Sequence, residues 1–136
     1  MTPILRGGTV ILDAEGLSRL ISRDPYMYSV LEEATANRVP VTISAVTLVE
    51  VIHPKINRAA LVWSMFRLQV EPVTKELSYL AADLLQTAGK HGHTHALDAI
   101  VCATALAAQG HATIYTSDPG DIEALVAGRA TVVPLH

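Results

Sequence analysis

His95-Ala96-Leu97-Asp98-Ala99-Ile100-Val101-Cys102-Ala103-Thr104-Ala105-Leu106-Ala107-Ala108 is apolar on almost every side when wound as a helix. Such a helix is normally buried on more than one face. Its first turn nonetheless carries a carboxylate, Asp98. Taking an unpartnered charge out of water costs several kcal/mol, roughly, even after relaxation, so this acid needs a partner. A helix-start aspartate favoured by the macrodipole is one answer. A cation held at the mouth of a sheet is the other, and the rest of the chain favours it.

Outward from this helix, short apolar runs alternate with helical periodicity. Upstream, Val10-Ile11-Leu12 reads as a buried parallel strand ending at Asp13. The Gly7-Gly8 pair before it is a turn signal, not a phosphate loop, because no lysine or further glycine follows at the right spacing. Gly16 to Ser22 is helical, and Asp24-Pro25 starts a second helix that runs to about Asn37. Val39 to Ile43 is a strand, and Ser44 caps a helix broken before Pro54. Ile56 to Phe66 is predicted helical, anchored by Ala60, Val62 and Trp63. Leu68 to Val73 is a strand placed towards an edge by Pro72. Thr74 caps a helix with Leu77, Leu80, Ala81, Leu84 and Leu85 at helical spacing, ending at Gly89. His91-Gly92-His93-Thr94-His95 is expected to be a loop. Downstream, Ala112 to Tyr115 is a fourth strand, Pro119 to Val126 a short helix, and Thr131 to Val133 a fifth strand. Strands separated by helices predict one α/β domain over residues 1–136, a three-layer α/β/α sandwich around a five-stranded parallel sheet.

The totals set limits on function. Half of the 136 residues are hydrophobic and 17% are charged, which describes a globular chain. The net charge of −3 argues against binding polyanions through a broad basic field; any nucleic-acid phosphate would have to be neutralised locally, as a metal site would do. The single cysteine, Cys102, excludes a disulfide framework and a cysteine zinc site, and reads as a small buried hydrophobe. Met1 to Gly8 lacks the apolar core of a signal peptide, and no apolar run approaches the ~18 residues of a bilayer span. A cytoplasmic location is expected.

In a parallel α/β sandwich, ligands bind at the rim where strands end and helices begin, near the point where strand order reverses. Asp13 ends the first strand and Asp118 the fourth, and Asp98 begins the helix leading into the fourth. Glu50 sits about a turn and a half into its helix, and helical side chains lean back towards the N-terminus, so it can reach the same rim. Each has a purely local alternative: caps for Asp13 and Asp118, an exposed helix charge for Glu50. Together they are harder to dismiss. Two carboxylates ~5 Å apart at an effective dielectric of ~20 repel by roughly 3 kcal/mol, so the four require protons or divalent cations. An all-oxygen donor set suits Mg²⁺ or Mn²⁺, ions that serve phosphodiester hydrolysis.

The segments Ile11-Leu12-Asp13, Ile43-Ser44-Ala45-Val46-Thr47-Leu48-Val49-Glu50, Leu97-Asp98-Ala99-Ile100-Val101-Cys102-Ala103-Thr104-Ala105 and Ile114-Tyr115-Thr116-Ser117-Asp118 resemble, in order and spacing, the four acidic motifs of PIN-domain ribonucleases. The likeness extends over nearly the whole chain and points to the VapC-type toxins of toxin–antitoxin pairs. It implies an Mg²⁺- or Mn²⁺-dependent endoribonuclease that cuts structured RNA, with transfer RNA a candidate substrate. It also implies a homodimer and an antitoxin whose segment blocks the acidic cleft. By position, Asp13 and Asp98 are the principal metal ligands, Glu50 completes the cluster and orients water, and Asp118 holds a second ion or a metal-bound water. Thr116 matches a hydroxyl near the metal, and Asp121 supplements or replaces Asp118. Glu15 departs from the pattern, since such proteins carry a small or apolar residue there; it either favours the helix start or reaches the metals.

Other features carry less. His91, His93 and His95 alternate, which invites a zinc or nickel reading, although a solvated loop explains them. Trp63, Met65 and Phe66 read as core or dimer contacts, and 4% aromatic content speaks against extended base stacking. Arg19, Arg23, Arg38, Lys55, Arg58 and Lys90 are candidates for phosphate contacts. The competing reading is a non-cleaving PIN-like module that binds RNA or protein. A receiver-type phosphoacceptor is excluded, because Glu71-Pro72 stands where its aspartate belongs and no lysine follows Lys90.

Overall fold

The computed structural model describes residues 7–136; the first six residues of the segment read for a leader lie outside them. Strand β1 (Thr9–Leu12) is buried throughout. Its side chains alternate between the two faces of the sheet. Val10 and Leu12 pack into one core cluster and Ile11 into the other. Helix α1 (Ala14–Ile21) follows at once because Asp13 caps it, its Oδ1 accepting the Gly16 N–H at 2.9 Å. Helix α2 (Pro25–Ala36) begins in the same way, with Asp24 as cap and Pro25 in the first turn. Then come β2 (Val41–Ser44), α3 (Ala45–Val51), α4 (Arg58–Arg67), β3 (Gln69–Glu71), α5 (Lys75–Ala88), α6 (Gly92–Ala107), β4 (Ala112–Thr116), α7 (Pro119–Val126) and β5 (Thr131–Pro134).

All strand pairings are parallel, in the order β3-β2-β1-β4-β5. The short β3 is an edge, as Pro72 foretells. One face is covered by residues from α1, α2, α3 and α4, among them Leu17, Leu20, Met27, Val30, Leu31, Val51 and Leu61. The other is covered by α5, α6 and α7. Residues 101–105 of α6 are buried in unbroken succession, so this helix does fill an interior. Cys102 is fully buried, and burial pushes its thiol up to about 12, which leaves it inert.

Two turns depend on special backbone. Gly89 ends α5 in the left-handed conformation. Gly8, at φ +73°, approaches the sheet so closely that a Cβ would lie 2.0 Å from the His111 carbonyl oxygen.

Two local expectations change. Helix α4 begins at Arg58, not Ile56, because Asn57 Oδ1 accepts the Ala60 N–H at 3.0 Å and so sets the cap. The inward face of α4 carries Ala60, Leu61 and Ser64, one helical stripe. Val62 (55% exposed), Trp63 (37%) and Phe66 (87%) therefore face outward and are not core. Trp63 lies against Tyr28, with the Arg67 guanidinium over its ring. The second change concerns His91 to His95, which form a helical turn continuous with α6 and set off by non-helical dihedrals at His95 (φ −118°, ψ 17°). His91 is in the cap position and caps through no side-chain bond. No helix among the described residues is long and apolar enough to cross a membrane.

Candidate active site

Strand order reverses between β1 and β4, the neighbours at the centre of the sheet, and the carboxyl ends of these strands form the crevice where such folds bind ligands. Asp13 leaves β1 here. Its Oδ1 caps α1, and its Oδ2 accepts the Ser117 N–H at 3.0 Å, tying the end of β1 to the residue after β4. The local reading of Asp13 as a helix cap thus holds. Each oxygen retains a second lone pair facing away from these donors.

Asp13, Glu50, Asp98 and Asp118 line one cleft of about 200 Å³, together with Glu15, Ser18, Leu97 and Ser117. Four segments far apart in the chain supply these acids: the β1–α1 junction, α3, α6 and the residue before α7. Asp118 occupies the cap position of α7 without making a capping bond, and Thr116 Oγ1 accepts its backbone N–H at 2.9 Å. The carboxylate is therefore placed by its backbone and not consumed by the helix. Glu15 forms an i,i+4 ion pair with Arg19 at 2.9 Å, so the acid that departs from the motif is neutralised by its own helix.

The electrostatics register the crowding. Burial, then the charges of Asp13, Asp98 and Asp118, raise Glu50 above the ordinary carboxylate range. Burial also raises Asp98, followed by Asp118 and Asp121; His95 opposes the shift, and Asp13 adds to it. These are the signs expected where like charges share a partly dehydrated site.

Two participants were read differently in the sequence, His95 as part of a solvated loop and Lys90 as a candidate phosphate contact. His95 Nδ1 lies 4.0 Å from Asp98 Oδ2 and 3.9 Å from Asp121 Oδ2, and Lys90 Nζ lies 3.2 Å from Asp121 Oδ1. The i,i+3 spacing of His95 and Asp98 across the start of a helix was the available signal. Among the described residues, His95, Asp98 and Asp121 are the set whose ligand atoms all lie within 4.8 Å of one another. Asp98 belongs both to this set and to the four-acid cleft. Of the three alternating histidines, only His95 is brought to the acids. His91 and His93 are exposed.

Sheet order and crevice define a PIN-like α/β/α fold. The chain is similar in structure to a chain of VapBC2 from Rickettsia felis, solved bound to a DNA fragment from their promoter. The TM-score is 0.69, and the match covers 94% of this chain and 99% of that one at 16% identity. At that identity the likeness concerns the fold. No protein-family model matches the sequence, and no curated protein matches it.

Proposed function

We propose that the protein is a metal-dependent endoribonuclease, the toxin of a type II toxin–antitoxin pair. The observation that carries this reading is the meeting of Asp13, Glu50, Asp98 and Asp118 on one cleft at the switch point, with Glu50 and Asp98 raised by burial and then by their acidic neighbours. The donor set fits a hard divalent cation: it consists of oxygens, Glu50 and Asp98 within it hold a proton more readily than ordinary carboxylates, and Cys102 is buried elsewhere. Asp13, Asp98, Glu50 and Asp118 would hold Mg²⁺ or Mn²⁺. When bound, such an ion supplies Lewis acidity at a phosphodiester and lowers the pKa of water.

The remaining roles belong to the chain itself. Asp13 is immobilised by two backbone donors, so its carboxylate needs little reorganisation on binding. Glu50 holds a proton more readily than an ordinary glutamate, which suits it to orient water and accept its proton. Thr116 fixes the backbone of Asp118. Lys90 balances the charge of Asp121 at the flank of the cleft, where His95 Nδ1 also lies 3.9 Å from its Oδ2.

The fold shared with a VapBC2 chain supports an antitoxin as partner and, with the absence of a spanning helix among the described residues, a cytoplasmic setting. A homodimer remains part of the proposal. The deciding experiment incubates purified protein with total RNA and with transfer RNA in the presence of Mn²⁺, beside an Asp98→Asn control. Discrete products from the parent alone are expected. Matching gels from parent and variant would overturn the nuclease reading in favour of a non-cleaving binding module.

A further inference from the structure

A second cavity, about 370 Å³, opens at the other end of α1. Its polar lining is Ser18, Ser22, Arg23, His53, Lys55 and Asn57, and no carboxylate among the described residues lines it. Ser18 also lines the acidic cleft, so the two are adjacent along one helix. Asp13 caps the start of the eight-residue α1, and Arg23 lies just past its end. The helix between them is about 12 Å long at 1.5 Å per residue.

The donors here are uncommitted. Among the described residues, neither Arg23 nor Lys55 forms an ion pair. His53 Nδ1 accepts the Lys55 backbone N–H at 3.2 Å, which leaves Nε2 as the nitrogen that carries the ring proton. A guanidinium fork, an ammonium, an imidazole N–H, two hydroxyls and an amide thus line a space that no carboxylate among the described residues borders. Planar and point-charge donors of this kind suit phosphate oxygens. Of the three apolar residues of the wall, Ile21 and Val51 are at most 6% exposed and Ile56 is half-buried, so polar residues outnumber apolar ones in the lining by two to one.

We infer that this cavity is a phosphate subsite for the RNA strand, holding a backbone phosphate beyond the one in the acidic cleft. The inference rests on the nuclease reading of that cleft and explains how a chain of net charge −3 retains a polyanion: the cations are concentrated beside the cut site instead of being spread over the surface.

The test measures binding of a fluorescein-labelled single-stranded RNA of mixed sequence over a salt series, in EDTA, for the parent and for Arg23→Asn/Lys55→Ala. Asparagine is used at position 23 because the residue sits at φ 64°, a conformation that asparagine tolerates. Loss of two phosphate contacts should flatten the slope of log affinity against log salt by about 1.4 and weaken binding about tenfold at low salt. The conservative pair Arg23→Lys/Lys55→Arg should restore the slope. Circular dichroism verifies folding of each. A folded variant with an unchanged slope overturns the subsite. So does a variant that keeps the RNA slope but loses affinity for poly-glutamate, which would make the cavity a protein-docking site. Cleavage with Mn²⁺ is scored separately. RNA held through Arg23 and Lys55 but never cut leaves the subsite standing and defeats the nuclease reading. Normal cutting with an unchanged slope does the reverse.

Discussion

Replacing Asp98 with asparagine should stabilise the metal-free protein while abolishing cleavage. Burial pushes the Asp98 proton affinity up most, three carboxylates push it further, and one imidazole pulls it down. At about 1 kcal/mol for each partly solvated neighbour, repulsion exceeds attraction by roughly 2 kcal/mol. Desolvation of a side chain 27% exposed acts in the same direction. The amide loses the contact with His95, so a net gain of about 1–2 kcal/mol is expected, or roughly 5 °C in Tm. The pH dependence has a fixed sign. Glu50 and Asp98 are both raised in the folded chain, so that chain binds protons more tightly than the unfolded one. The contribution of these two groups to metal-free stability is then greatest below the ordinary carboxylate range and is lost as pH rises through the raised values. The advantage of Asp98→Asn should accordingly be full near neutral pH and shrink on acidification. Saturating Mn²⁺ should reverse the ranking, since an ion at a hundred times its Kd adds about 2.7 kcal/mol to the parent and less to the variant. Thermal unfolding in EDTA at low salt, with and without Mn²⁺, measures all of this. A variant less stable than the parent in EDTA near neutral pH would refute the claim that these acids are strained without a cation.

Thr116→Val removes the acceptor of the Asp118 N–H; it should cost about 1 kcal/mol in denaturant titration and slow RNA cleavage by misplacing Asp118. Tyr115→Phe deletes a buried hydroxyl that has no hydrogen-bond partner among the described residues, so its stability should be unchanged or slightly higher, by up to about 1 kcal/mol in denaturant titration. Gly8→Ala meets the His111 carbonyl oxygen at 2.0 Å in a left-handed backbone; a loss of roughly 3 kcal/mol or more is expected, visible as low soluble yield or a much lower Tm. Phe66→Ser, at a residue 87% exposed, should leave the Tm of the isolated chain within about 2 °C of the parent.

Much of the fold is written locally. Asp13, Asp24, Ser44 and Thr74 announce helix starts because a short polar side chain satisfies a free N–H wherever it is placed, and each does so here. The short apolar runs of β1, β2 and β4 reveal buried parallel strands, because burial on both faces leaves no room for polar alternation. Misreadings arose where two local signals competed. Glycine in His91 to His95 argues for a loop, but the turn continues into α6 and bends only at His95. Trp63 and Phe66 are apolar enough for a core, yet the register set by the Asn57 cap turns them outward.

The residue pattern by itself determined the α/β class, the edge position of β3 and the four acids that strand ends and helix starts offer to one rim of the sheet. It could do so because capping, strand burial and helix periodicity are short-range. Only the tertiary structure decided the company these acids keep. It placed Glu50 beside Asp13, Asp98 and Asp118, added His95, Asp121 and Lys90 at the flank, and set a cation-lined cavity one helix-length away. Charge acts through space, and distances between residues far apart in the chain exist only once sheet order and helix packing have been set.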